Sequence, residues 1–310
     1  MARPPDRAHN VALAGRAPSA PAKPRPAAHT RPTEPESLLS SATPEIAAPR
    51  PTPRPAGPDF VGIGVQKSGT TWIADVLAQH PGVVIREKEI SFFVRYYHRG
   101  WRWYELHFRD KQGRLAGEFS VNYIYSPRSD STHREFYPRW NPRRRLLFWR
   151  TYPAARAELA ARYPDLKIIV AFRDPADRAW SHYWFWRRRR ERNRKKVVPF
   201  ERMFQDDGRW IRTQGYYADL LKPWRATFPD LKVVFFDDIV TRPLEVARDV
   251  YAFVGADPAF APALEQRVNA GRYPEMPAET RRTLVHLYRG QIEELAAMTG
   301  RDLGRWCEAP

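Results

Sequence analysis

The chain has 310 residues, with 52 lysines and arginines against 35 aspartates and glutamates and a formal charge of +17. That length allows one large α/β domain with extensions, and no window approaches 18 uninterrupted apolar residues, which argues against a membrane span. A single cysteine, Cys307, excludes an intrachain disulfide and suits a reducing compartment, so a cytoplasmic location is expected.

In chain order, residues 1–58 come first. They hold 14 of the 30 prolines and almost no aromatic or long apolar clusters, so a disordered Pro/Arg-rich tail is expected there. Val11 to Ala14 is too short for the apolar region of a secretory signal. The folded domain is therefore expected over 59–310, with about +13 of the charge. It opens with an apolar run, Phe60 to Val65, that breaks into a loop of glycine and hydroxyl residues before a helical pattern over 70–79. Strand, loop and helix in that order make an anion cradle: free amides at a helix start and the positive dipole end favour a phosphate. Gly64 and Gly69 have the spacing of a nucleotide-hydrolase P-loop, but Thr70 and Thr71 follow the second glycine where a lysine belongs. The lysine lies inside the loop, at Lys67.

Further strands are predicted near 83–86, 116–120, 167–172 and 231–236. Helices are predicted near 153–163, 175–188, 216–227, 242–254 and 278–298. The alternation implies a P-loop-like, three-layer α/β fold: a central parallel sheet of about five strands flanked by helices, with ligands at the strands' carboxyl ends. Lys67 and Arg173 both fall at such ends. Asp174 and Pro175 read as the N-cap and first residue of the helix after the fourth strand. Ser181 follows Arg173 by eight residues, a spacing that lets both point at one pocket. Arginine suits a phosphate dianion through its planar fork; the alternative for Arg173 is a pairing with Asp174 or Asp177.

These elements resemble the sulfotransferases that use 3′-phosphoadenosine 5′-phosphosulfate (PAPS). The order Lys67, Ser68, Gly69, Thr70, Thr71, Trp72 looks like their 5′-phosphosulfate loop, and Arg173 with Ser181 like their 3′-phosphate element. Lys88, Glu89, Phe92 and Phe93 are similar to the Lys-Glu-x-x-Phe-Phe segment of the branch that modifies heparan-type polysaccharides by N- or 3-O-sulfation. The resemblance makes Glu89 the catalytic base; the alternative is a surface partner of Lys88 or Arg86. Glu118, Ser120 and Tyr123 match a Glu-Lys-[ST]-x-x-Tyr segment in which Phe119 replaces the lysine. Gly271, Arg272 and Tyr273 match a late Gly-Arg-x-Tyr-Pro loop that closes over the nucleotide, although Arg272 has Glu275 as a nearby pairing alternative. Secretory-pathway relatives often carry a disulfide-closed loop before this element, and its absence here points to a bacterial-type enzyme.

The residue chemistry agrees with that resemblance. Sulfuryl transfer needs an acceptor oxygen or nitrogen held in line with the leaving phosphate, by analogy with phosphoryl transfer. The sulfuryl group carries one charge fewer, so Lys67 serves without a metal, neutralising the departing 5′-phosphate. Thr70, Thr71 and the loop amides hold that phosphate. Glu89 takes the acceptor proton. Trp72 is a candidate for stacking on adenine or a core residue. His98 and His107 are alternative bases, and no histidine has metal-ligand spacing.

Two basic blocks remain. Eight of the ten residues from Arg187 to Lys196 are basic, and Arg139 to Arg150 mixes arginines with Trp140, Phe148 and Trp149. Each is either a solvated face or a binding surface: the first for an anionic acceptor such as a glycan or lipid head group, the second for an anionic membrane. The stretch near 128–152 reads as an insertion. With Phe119 and the missing disulfide loop it touches acceptor-facing surface, so a heparan-like glycan is not implied over another carbohydrate, a lipid or a secondary metabolite. Two other classes compete. A nucleotide kinase-like enzyme would need Mg²⁺ and ATP; a nucleic-acid-binding protein would leave Lys67, Glu89, Arg173 and Arg272 unused. The expectation is therefore a PAPS-dependent sulfotransferase that does not act on nucleic acid.

Overall fold

Short β-branched and aromatic runs form the five strands: β1 (Phe60–Gly64), β2 (Val83–Val84), β3 (Leu115–Phe119), β4 (Lys167–Phe172) and β5 (Lys232–Phe235). They make one parallel sheet in the order β2-β3-β1-β4-β5. The computed structural model describes residues 56–125, 154–207, 209–264 and 273–309, all within the unit Thr52–Pro310. Nearly all of the expected tail over 1–58, the expected insertion near 128–152, and Gly271 and Arg272 lie outside the described residues.

Strand periodicity divides the core into two layers. Ile168, Val170 and Phe172 of β4 face one side, with α2 (Ala155–Arg162), α3 (Pro175–Arg192), α4 (Tyr217–Thr227) and α6 (Ala278–Thr299) packed over them. Ile169 and Ala171 face the other side, under α1 (Thr70–Gln79) and α5 (Pro243–Val254). A parallel sheet with both faces covered has no solvated side, which is why β4 is a continuous apolar run.

The predicted strands are all present. Two helices differ from expectation. The pattern read as one helix from 242 is preceded by a separate short helix, Phe236–Thr241, and the longer helix starts at Pro243, where proline suits the first turn. Helix α3 runs on to Arg192 because arginine is a good helix former and Arg187 donates to Glu191 one turn on, at 2.8 Å.

One expectation about the acceptor surface needs correction. Phe119, in place of the resembling family's lysine, is 1% exposed and belongs to the core. Its partner across the sheet is Gly62, where a Cβ would come within 1.9 Å of the Phe119 ring. The phenylalanine therefore fills the space a glycine leaves in β1 and meets no acceptor.

Candidate functional site

The crossovers leave β1 toward β3 on one side and β4 on the other, so the sheet's switch point lies at the carboxyl ends of β1 and β4. The loop after β1 bends through two left-handed residues, Lys67 (φ 72°) and Gly69 (φ 89°). At Gly69 a Cβ would approach Ile239 to 2.7 Å, so only glycine lets the chain turn there. Such turns gather amides into a concavity. Helix α1 then begins at Thr70 with no side-chain cap, leaving its first N–H groups and its positive dipole end open. Thr70 and Ser68 are buried, and Ser68 lies against the Tyr217 phenol. Thr71 accepts a hydrogen bond from the Lys88 ammonium, which brings the loop after β2 to the start of α1. Trp72 is half-buried and packs against the α1–α5 core layer.

Cations converge on this cradle. Burial pushes the Lys67 ammonium below its ordinary pKa, and the charges of Arg188, Arg173 and Lys88 push the same way. Among the described residues no carboxylate acts on it. Its Nζ stands 4.9 Å from the centre of the Phe185 ring, which is 41% exposed on α3. A cluster of this kind repels itself when empty and gains most from an anion placed among its members.

Arg173 enters from the tip of β4, packed over the Phe236 ring at 4.6 Å. Its nearest approach to Asp177 is 4.0 Å, beyond hydrogen-bonding distance. The two carboxylates that were its alternative partners are taken by Arg281 of α6, at 2.7 Å to Asp174 and 3.0 Å to Asp177. Asp174 also caps α3, accepting from the amides of Ala176 and Asp177 at 2.8 and 3.1 Å. The Arg281 guanidinium thus frees Arg173 toward the cradle, a role that a separation of more than 100 residues hides from sequence reading. Ser181 is buried further along α3. Trp180 of the same helix donates to the Pro274 carbonyl at 2.8 Å, which tethers the segment containing half-buried Tyr273 alongside α3.

The loop carrying Glu89 is held differently. Arg86 pairs with Asp110 at 2.8 Å and Lys88 with Thr71, so neither ties down Glu89. Its carboxylate is exposed and makes no hydrogen bond or ion pair among the described residues. It stands close enough to favour the charged form of Lys88, as does Asp75, although burial lowers that lysine's pKa overall. The backbone around Glu89, by contrast, is fastened to β3. The Phe119 amide donates to the Lys88 carbonyl at 2.6 Å. The Ile90 amide donates to Glu118 Oε2 at 3.1 Å, Ser91 to Ser120 Oγ at 2.9 Å and Phe92 to the Tyr123 hydroxyl at 2.8 Å. Glu118 is fully buried, and that burial raises its pKa to about 7 against the pull of its donors.

Of the histidines, the alternative base His107 faces Glu87 at 3.3 Å and leans on the carbonyls of Trp103 and Tyr104. His182 is buried behind Lys67, where desolvation and nearby cations hold its pKa down to about 3. A neutral ring there adds no charge to the cluster.

A family described as the sulfotransferase family matches residues 58–262. The chain is similar to mouse heparan sulfate glucosamine 3-O-sulfotransferase 3A1, at 28% identity over 281 residues, 80% of this chain and 64% of the relative. It is similar also to mouse bifunctional heparan sulfate N-deacetylase/N-sulfotransferase 3, at 25% identity over 80% of this chain and 31% of the relative. Both relatives are longer, and the chain spans less than two thirds of either. Among solved structures, a sulfotransferase from Alicyclobacillus acidocaldarius superposes with a TM-score of 0.64 at 25% identity, covering 81% of this chain and 99% of that one.

Proposed function

This chain belongs to the sulfotransferase family, and on that premise we propose that it moves the sulfuryl group of PAPS to a hydroxyl or amine of an anionic glycan. The observation that supports this most directly is the cluster of Lys67, Lys88, Arg173 and Arg188 around an uncapped helix start, with no carboxylate among the described residues acting on Lys67. Such a site suits a ligand with a phosphate at each end of a nucleoside. In this reading the amides of the loop, with Ser68, Gly69, Thr70 and Thr71, hold the 5′-phosphate, and Arg173 with Ser181 holds the 3′-phosphate. In the same reading Trp72 and Tyr273 border the nucleotide, and Gly271 and Arg272 belong to the proposal by resemblance.

The reaction is one in-line displacement. Glu89 takes the proton of the acceptor O–H or N–H as that atom forms its bond to sulfur. The bond from sulfur to the 5′-phosphate oxygen breaks, and the electron pair leaves on 3′,5′-adenosine bisphosphate. Lys67 stabilises the charge that gathers on the bridging oxygen. The acceptor class rests on two supports: relatives named for heparan sulfate and the arginine-rich end of α3, whose Arg188 already acts on Lys67. The kinase-like reading is not favoured, because no lysine follows Gly69.

Titration calorimetry tests the donor half: 3′,5′-adenosine bisphosphate without metal should bind at least tenfold more tightly than ATP with Mg²⁺, and the reverse order would overturn the reading. Transfer of labelled sulfate from PAPS to desulfated heparan sulfate, but not to a simple phenol, tests the acceptor half.

A further inference from the structure

We propose that Glu118 is a positioning residue for this reaction: a buried carboxylate that fixes the backbone immediately after Glu89, directly and through two hydroxyls, and so sets where the base stands. The inference rests on the reading of Glu89 as the base.

The geometry is closed on every side. An ionised carboxylate has about four acceptor positions, and Glu118 uses four. Oε2 accepts from the Ile90 amide at 3.1 Å and the Ser120 hydroxyl at 2.5 Å; Oε1 accepts from Tyr123 at 2.8 Å and Tyr104 at 3.0 Å. Ser120 and Tyr123 are relays, because their oxygens in turn accept the amides of Ser91 and Phe92. Three consecutive N–H groups therefore lead to one carboxylate. The carbonyl just before Glu89, on Lys88, is held by the amide of Phe119, the neighbour of Glu118. Ser91 is left-handed (φ 55°), a conformation that a serine keeps only where its surroundings impose it. Glu89 itself makes no hydrogen bond or ion pair among the described residues, so its position is inherited from this frame. An acidic residue at the end of a buried strand has no other evident use here. Among the described residues it pairs with no cation, and a shift of about 1 Å in a reacting group can cost ~10²-fold in rate.

Tyr104 supplies an internal control. Its hydroxyl fills the same carboxylate oxygen as Tyr123 does, and its ring stacks on Phe92 at 4.8 Å, but its hydroxyl carries no amide of the loop. Phenylalanine at either position keeps the ring. Tyr123→Phe and Ser120→Ala should each lower kcat about ten- to hundredfold while the affinity for 3′,5′-adenosine bisphosphate stays within about twofold of wild type. Tyr104→Phe should cost kcat a clearly smaller factor, and Ser120→Thr, which keeps the hydroxyl, should recover most of the loss.

The assay is sulfate transfer from PAPS to desulfated heparan sulfate, with nucleotide calorimetry and thermal melting on the same proteins and Glu89→Gln in parallel. Tyr123→Phe added to Glu89→Gln should bring little further loss, since residues acting as a unit are not additive. If Tyr123→Phe and Tyr104→Phe lose turnover equally, in step with melting temperature, Glu118 is a structural residue and the proposal fails while Glu89 stands. If Glu89→Gln keeps wild-type turnover, the base is elsewhere and the proposal falls with it.

Discussion

The loops after β1 and β2 meet at Thr71, yet they are built on opposite principles. The first uses backbone: two left-handed residues, open amides and a helix start, with cations about it and, among the described residues, no carboxylate acting on Lys67. The second uses side chains: a carboxylate, a serine and a tyrosine of the β3 end hold three amides while the functional group faces solvent. A site that grips a fixed, highly charged donor gains from unsatisfied charge. A site that must aim one carboxylate at a changing partner gains from a rigid, fully hydrogen-bonded frame. The difference predicts that donor binding and proton transfer can be damaged separately.

The sharpest way to break that separation is Glu89→Gln against Lys67→Met. Glu89→Gln is expected to lower kcat by ~10²–10⁴-fold and leave the calorimetric affinity for 3′,5′-adenosine bisphosphate near wild type. Lys67→Met should lower kcat by ~10²–10³-fold and weaken the nucleotide as well. A tenfold loss of nucleotide affinity in Glu89→Gln would mean that the two loops form one inseparable unit.

Next in size is an effect of pH on stability. The Glu118 pKa is raised from 4.5 to about 7, mainly by burial, with Ser120, Tyr123, Tyr104 and the Ile90 amide opposing. A carboxyl raised on folding is stabilising when protonated. Its contribution is fully present below about pH 4.5 and is lost as pH rises through 7, a swing of about 3 kcal/mol. Denaturant midpoints should therefore fall more steeply with pH in the wild type than in Glu118→Gln. Equal slopes would show that Glu118 ionises on folding as freely as in the unfolded chain.

The same contrast explains what was legible in the sequence. The geometry of the loop after β1 could be read because it is local: Gly64, Lys67, Gly69 and two threonines sit within eight residues, and strand–loop–helix order carries its own geometry. Arg173 and its N-cap Asp174 were legible for the same reason. Glu118 was visible only as part of a resemblance, since nothing in a strand's periodicity says that an acidic residue near its end will take four hydrogen bonds from three segments. Arg281 could not be found at all; its partners are set by how α6 lies over α3. Phe119 misled because its place in a motif suggested the acceptor surface, whereas the alternation of β3 turns it toward Gly62.

A third prediction concerns the nucleotide's other end. Arg173→Met should weaken 3′,5′-adenosine bisphosphate by about 10- to 100-fold, the range of a charge-assisted fork to phosphate, and barely affect 5′-AMP. Equal losses for the two nucleotides would place Arg173 away from the 3′-phosphate.

The smallest effect tests whether the cationic cluster owes its freedom to a distant helix. Arg281 engages Asp174 and Asp177 at once. Without it, Asp177 is 4.0 Å from the only other nearby guanidinium described, that of Arg173, and needs only a rotamer change to close on it. Asp174, buried and already raised in pKa by that burial and by Asp177, would lose the cation opposing both. Arg281→Met should thus cost about 1–2 kcal/mol of stability, less than a fully buried pair because Asp177 and Arg281 retain solvent. It should also weaken 3′,5′-adenosine bisphosphate a few-fold through competition for Arg173. Adding Asp177→Asn removes the competitor, so calorimetry on the double variant should return the affinity to wild type while the stability loss persists. If affinity does not recover, Arg281 acts on the nucleotide site by holding α3 in place, and the free state of Arg173 is set by the Phe236 ring beneath it.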